Sequence, residues 1–185
     1  MKYEIKYEFG IKMEESDGMK WSRNNLQTAY NSLKMINDKL QGNLKSMVSG
    51  TAFTIMGGGN QYYGKTRSTG VKYHVASSST QLPLVNFLHE TGHLLDNVPA
   101  TEDVFSGQVP TTPTWVKDGY VDRGILGRKF SEPVQAIPMN EPNSPGEYWA
   151  DAFANYVADN IDLMKSAGQG MYNFVAAALA PYVGY

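Results

Sequence analysis

Cysteine is absent from this 185-residue chain. Its absence excludes a disulfide scaffold, a thiol nucleophile and any zinc site built on thiolates. The redox compartment stays open, because a cysteine-free chain is stable in either environment. Histidine is scarce as well: only His74, His89 and His93 are available for imidazole chemistry. There is no excess of one charge, since sixteen basic residues face eighteen acidic ones for a net charge of −2. That balance argues against nucleic acid as the main partner. No apolar run reaches the length of a membrane span. Residues 1–20 lack the apolar core of a secretory leader, because Lys2, Glu4, Lys6 and Glu8 interrupt it. The chain is expected to be soluble. A cytosolic protein, a mature secreted form and a domain cut from something larger all fit.

What is present bounds the fold. A chain of this length with 42% apolar residues is expected to form one domain over residues 1–185. It can bury roughly 70% of its unfolded surface without staples. Two lobes around a cleft are expected, one over about 1–96 and one over about 97–185. Seven of the nine prolines fall between residues 97 and 145. A long, proline-rich connection of this kind inside a compact domain is usually functional, and here it is expected to form a wall of the cleft.

Two of the three histidines occur in one pentapeptide, His89-Glu90-Thr91-Gly92-His93. On a helix, the spacing H-E-x-x-H puts both imidazoles one turn apart on one face, with a carboxylate beside them. That is the arrangement of a catalytic zinc site, with the histidines as ligands and the glutamate polarising a water. The surrounding residues support a helix. Ser79 and Thr80 are good N-cap types, and Pro83 suits a first turn. Val85, Leu88, Gly92 and Leu95 recur at helical spacing toward a core, and Asn97-Val98-Pro99 is a stop. Gly92 is a poor mid-helix residue. Close approach of another backbone or of substrate would explain it.

Two histidines need a third protein ligand, and with no cysteine an acid is expected to supply it. Glu147 is the first choice. It opens a helical segment that begins at Pro145, with Ser144 as N-cap. Glu147 and Asp151 lie one turn apart on one stripe. Trp149, Phe153 and Tyr156 make another, and Ala150 and Ala154 permit close packing on the histidine helix. Ser144-Pro145-Gly146-Glu147 also reads as a capping box, in which the glutamate turns back to its own N-cap amide. The demand of the two histidines favours ligation. Asp151 is then expected to accept a hydrogen bond from the non-metal nitrogen of a ligand histidine. Asp96, three residues past His93, is expected to support the site. Competing third ligands are Asp96, Asp151, Glu141 and Glu102, in that order.

The remaining chain yields a coarse element order. Partial alternation over Tyr3–Ile11 predicts a first strand, and Ser16-Asp17-Gly18 a break. Trp21 to Leu40 predicts an amphipathic helix with Leu26, Tyr30, Leu33 and Met35 or Ile36 inward. Strands are predicted at Thr51–Met56 and Val71–Ala76. Gly57-Gly58-Gly59-Asn60 is a turn or loop. Gly64-Lys65-Thr66 resembles the end of a phosphate-binding loop, but its spacing does not match one. Short helical turns inside the proline-rich connection, for example around Gly124-Ile125-Leu126, are compatible with the sequence. No internal repeat is present.

His89-Glu90 with Gly92-His93 and Asp96, followed by Glu147-Tyr148-Trp149-Ala150-Asp151-Ala152-Phe153, resembles the zincin metallopeptidases of the gluzincin type. Within them it is most similar to the group of the anthrax lethal factor catalytic domain and the bacterial Pro-Pro endopeptidases. The likeness covers about fifteen residues. It implies an α+β, zincin-like fold, with a small twisted mixed sheet on the histidine helix and a mostly helical C-terminal part. It implies a zinc metalloendopeptidase, with Zn²⁺ on His89, His93 and Glu147 and Glu90 as general base. A peptide or protein substrate in extended form is implied, paired with an edge strand near Val71–Ala76. A soluble, secreted or released form is implied too. In that group a tyrosine seven residues before the ligand glutamate stabilises the oxyanion; Asn140 stands there in this chain. Tyr120, Tyr148 and His74 are the candidate substitutes. The departure leaves a second reading open, a zincin-like domain that binds metal and an extended peptide with weak or no turnover. A structural zinc site would need a closed fourth ligand, which no cysteine is present to provide.

Overall fold

The computed structural model describes residues 1–58, 63–98, 105–110, 114–117, 120–126 and 145–183. The architecture is mixed α+β. The described elements, in chain order, are α1 (Lys2–Phe9), β1 (Lys12–Glu15), α2 (Arg23–Lys39), α3 (Leu44–Val48), β2 (Ala52–Met56), β3 (Tyr63–Arg67), β4 (Gly70–His74), α4 (Leu84–Asn97), β5 (Val116–Lys117), β6 (Tyr120–Val121), α5 (Pro145–Val157) and α6 (Ser166–Leu179). None of the described helices is long and apolar enough to cross a membrane.

The first element corrects the expectation of a strand over Tyr3–Ile11. Ile5 and Phe9 are four residues apart, so they satisfy a strand period and a helix period alike. The structure takes the helix. Ile5 and Phe9 are buried in the core, while Tyr3 and Tyr7 stack on the exposed side with ring centroids 6.2 Å apart. Gly10 ends α1 at φ +74°, its amide donating to the Lys6 carbonyl. That left-handed conformation costs glycine nothing and other residues about 1–2 kcal/mol. The expected break follows β1, where Asp17 (φ +53°) and Gly18 (φ +74°) turn the chain toward α2.

Helix α2 matches its prediction closely. Ser22 is the N-cap and its hydroxyl accepts from the Asn25 amide at 3.1 Å, a contact usually worth about 1 kcal/mol. Ala29, Leu33 and Ile36 are buried, whereas Leu26 and Tyr30 only edge the core.

The main sheet runs β1-β2-β4-β3. Strands β1, β2 and β4 are parallel, and β3 is antiparallel to β4. The sheet is therefore small and mixed, as expected, but β4 lies inside it. Its edge strands are β1 and β3, and the expected edge near Val71–Ala76 is corrected accordingly. The physical reason is the tight turn between β3 and β4, which lays a polar strand along the free side of an apolar one. Register pairs Gly64 with Tyr73 and Thr66 with Val71. The lysine- and arginine-bearing β3 suits an edge, where unpaired backbone must resist aggregation.

Helix α4 lies between two apolar clusters. On the sheet side, Trp21, Phe53, Tyr73 and Phe87 form an aromatic group, with the Tyr73 and Phe87 centroids 4.9 Å apart. On the other side, Phe105, Trp149, Phe153 and Phe174 pack together, with Phe105 stacked on Trp149 at 4.5 Å. Phe87, Leu88, Leu94 and Leu95 are consequently all fully buried. Val85, expected inward, is only half-buried at the start of the helix.

The N-terminus of α4 also differs from expectation. Pro83, in extended backbone (φ −71°, ψ 154°), occupies the N-cap position. Ser77 and Thr80 close a separate turn, the Thr80 amide donating to the Ser77 carbonyl at 3.0 Å. The entering chain is held instead by Asn25 of α2. Its Nδ2 donates to the Thr80 carbonyl at 2.8 Å and its Oδ1 accepts from the Leu82 amide at 2.9 Å. A buried side chain thus satisfies two backbone groups of the segment that enters α4.

The proline-rich connection holds a 3₁₀ turn at Ser106–Gln108, the two-stranded β5–β6 pair, and a 3₁₀ turn at Arg123–Ile125 close to where the sequence allowed one.

Candidate metal centre

The site is assembled by α4 and α5. Their close approach is set at Gly92. A Cβ there would lie 3.0 Å from Phe153 Cδ1 and 3.1 Å from the Ala150 Cα. The glycine therefore admits the backbone of α5, as its mid-helix position suggested. Trp149 Nε1 donates to the Gly92 carbonyl at 2.9 Å and ties the two helices directly.

This contact places the ligating atoms. His89 Nε2 and His93 Nε2 are 3.0 Å apart. Glu147 spans them, with Oε2 at 3.2 Å from His89 Nε2 and Oε1 at 3.3 Å from His93 Nε2. These three residues form the group, among the described residues, that can hold a metal ion. Bonds of 2.0–2.1 Å to a tetrahedral Zn²⁺ would set its ligands about 3.3–3.4 Å apart. The ligand atoms lie within 4.8 Å of one another, close enough to share one ion. A capping glutamate would point along its own helix; the Glu147 carboxylate points at the imidazoles. Ser144 lies outside the described residues, so the comparison rests on Glu147 alone.

Asp151, one turn on, sits behind His89. Its Oδ1 is 2.8 Å from His89 Nδ1 and accepts the proton there. With a cation bound and His89 neutral, that bond would fix the tautomer and leave Nε2 free to ligate. Behind Asp151, Asn155 Nδ2 donates to its carbonyl at 2.8 Å, and Asn160 Nδ2 donates to Asn155 Oδ1 at 2.8 Å.

The electrostatics agree with a cation site. Burial opposes charge on His89, but the hydrogen bonds to Asp151 and Glu147 outweigh it and hold the imidazole well above its ordinary value. Burial likewise opposes charge on Glu147, and the two imidazoles override it, holding the carboxyl well below the usual range.

Glu90 lies against β3. It is 3% exposed. Thr66 Oγ1 donates to its Oε2 at 2.7 Å. Gly64 lies against it so closely that a Cβ would fall 2.0 Å from Glu90 Cδ. The Tyr73 hydroxyl is buried nearby without a hydrogen-bond partner among the described residues. Burial, and then the charge of Glu90, pushes its phenol well above the ordinary value.

Asp96 supports the site by a different route from a histidine contact. Its Oδ1 accepts the amides of Phe105 at 3.1 Å and Ser106 at 2.9 Å. Phe105 in turn stacks on Trp149 of α5, so Asp96 clamps the α4–α5 pair. Tyr148 is buried with its ring edge-on to Trp115 at 6.5 Å. His74 ends β4 and is not part of the ligand cluster. Tyr120 pairs through its backbone with Lys117; its side chain, like Asn140, Glu141 and Glu102, lies outside the described residues. Sequence reasoning missed Thr66 and Gly64. The fragment Gly64-Lys65-Thr66 was conspicuous only as a near-match to a phosphate loop, and it forms β3 instead.

No protein-family model, no curated protein and no solved structure gives a significant match to this chain.

Proposed function

We propose that this chain is a zinc-dependent metallopeptidase. One observation carries the reading: His89, His93 and Glu147 bring their ligand atoms within 4.8 Å of one another while the Asp151 carboxylate stands 2.8 Å from His89 Nδ1. His89 and His93 would hold Zn²⁺ through Nε2, and Glu147 through its carboxylate. When bound there, the metal supplies Lewis acidity, which activates a water and polarises a carbonyl. Glu90 accepts the proton of the attacking water and delivers it to the leaving amine. A buried carboxylate held by one hydroxyl is suited to that exchange, because little solvent competes for the proton. The substrate is a peptide in extended form, paired with the outer edge of β3 rather than with β4. The overall arrangement is consistent with a zincin-like fold: a mixed sheet against the H-E-x-x-H helix, followed by helices α5 and α6.

Asn140, standing where the resembling group has its tyrosine, motivates a second reading: a domain that binds metal and peptide with little turnover. The presence of Glu90, packed and hydrogen-bonded, favours the catalytic one, since a binding module has no use for a general base. Cleavage of a peptide library by zinc-loaded protein, set beside Glu90→Gln, separates the two. The wild type should cleave; the variant should keep its zinc and lose hydrolysis by several orders of magnitude. An amide cannot take up the proton, yet the ligands are untouched. Binding of library peptides without cleavage by the wild type would favour the second reading.

A further inference from the structure

Glu90 is gripped from a side that ligand geometry alone does not require. Thr66 Oγ1 lies 2.7 Å from Glu90 Oε2 and 3.3 Å from the Glu90 carbonyl oxygen. A hydroxyl has one proton to give. Its place is on the shorter bond, to the charged oxygen. Thr66 is β-branched, so its χ1 is stiff, and its backbone is fixed by pairing with Val71 in β4. Two residues earlier, on the same face of the strand, Gly64 leaves the volume that the carboxylate fills, with its would-be Cβ 2.1 Å from Glu90 Oε1. One residue of β3 therefore makes room for the carboxylate and the next on that face bonds it. Neither contact touches His89, His93 or Glu147.

We infer that Thr66 is a positioning residue for the general base: its hydroxyl locks the Glu90 carboxylate against β3 in the one orientation from which proton transfer starts. The inference rests on the hydrolytic reading for its consequence, but not for its geometry. Thr66→Val keeps the branched shape and removes the proton donor. Thr66→Ser keeps the donor and removes the methyl. Zinc-loaded full-length protein is assayed for kcat, KM and metal content, and each variant is crystallised. Thr66→Val should bind zinc as the wild type does, keep its KM, and lose about 10- to 100-fold in kcat, the usual cost of a loosened supporting contact. Its Glu90 carboxylate should leave the Gly64 surface. Thr66→Ser should recover most of kcat and keep the carboxylate in place. Should Thr66→Val not fold, Thr66→Ala removes the donor without added bulk and is read in the same way. A donor-less variant with wild-type kcat, or with the carboxylate unmoved, overturns the inference. If the wild type itself hydrolyses nothing, the peptidase reading fails, while the carboxylate position still decides the role of Thr66.

Discussion

Gly64→Ala should lower activity while leaving the protein folded and zinc-loaded. The added methyl carbon would start 2.0 Å from Glu90 Cδ, and ordinary van der Waals contact begins at 3.4 Å. The carboxyl group must therefore retreat by about 1.4 Å. Its neighbours in the clash are the far end of a flexible side chain, so the fold can absorb the move. Breaking the Thr66 bond to a charged acceptor costs about 1.5–3 kcal/mol. An off-rotamer Glu90 adds about 0.5–1.5 kcal/mol. Alanine returns about 0.4–1 kcal/mol by restricting the unfolded chain. A net destabilisation of about 1–4 kcal/mol follows, which for a domain of this size lowers the melting temperature by roughly 2–16 °C. Misplacing a catalytic group by about 1 Å costs on the order of 100-fold in rate. The assays are thermal unfolding, zinc content and peptide hydrolysis on one preparation. The expected result is a folded, zinc-loaded protein with at least that loss of kcat. Wild-type turnover would refute the placement of Glu90, and loss of zinc would show that α4 moved instead of one side chain.

Two further outcomes follow from other parts of the structure. Glu147→Ala should cost more zinc affinity than Asp151→Asn, which should lose roughly 10- to 100-fold as a partner of a ligand histidine; competitive chelator titration gives the order, and its reversal would mean that the two acids have exchanged roles. Away from the site, Glu15 accepts from Lys2, Lys20 at 3.1 Å and the Trp21 amide at 3.1 Å. Those partners, Lys2 foremost, push its carboxyl down to about 2. A depressed carboxyl stabilises the fold above its unfolded value near 4.5 and loses that contribution as pH falls toward 2. With partial exposure to solvent the contribution is about 1–2 kcal/mol. In metal-free protein, Glu15→Gln should therefore be less stable than wild type at neutral pH and equal to it near the acid limit; a difference that persists there would contradict the ion-pair account.

The candidate metal centre was legible because its spacing is local. The H-E-x-x-H spacing needs only a helix to bring two imidazoles together, and Pro145, the apolar stripe of Trp149 and Phe153, and the alanines between them marked the second helix. Even Gly92 announced the close approach of α5. The elements that were misread depend on contacts no local pattern carries. Ile5 and Phe9 fit two periods, and only burial against α2 and α3 chooses the helical one. Strand β1 buries little beyond Met13 and exists through parallel pairing with β2, a non-local bond. Strand β3 is polar and glycine-bearing, so it resembled a loop, and its edge position follows from a turn rather than from composition. Thr66 meets Glu90 across 24 residues of sequence; nothing in their spacing predicts it.

The central claim is the identity of the three ligands, and diffraction from zinc-loaded crystals on both sides of the zinc absorption edge tests it most directly. The account predicts one strong anomalous peak per chain, about 2.0–2.2 Å from His89 Nε2, His93 Nε2 and a Glu147 carboxylate oxygen. An anomalous peak held by other residues, or none in protein equilibrated with zinc, would contradict it.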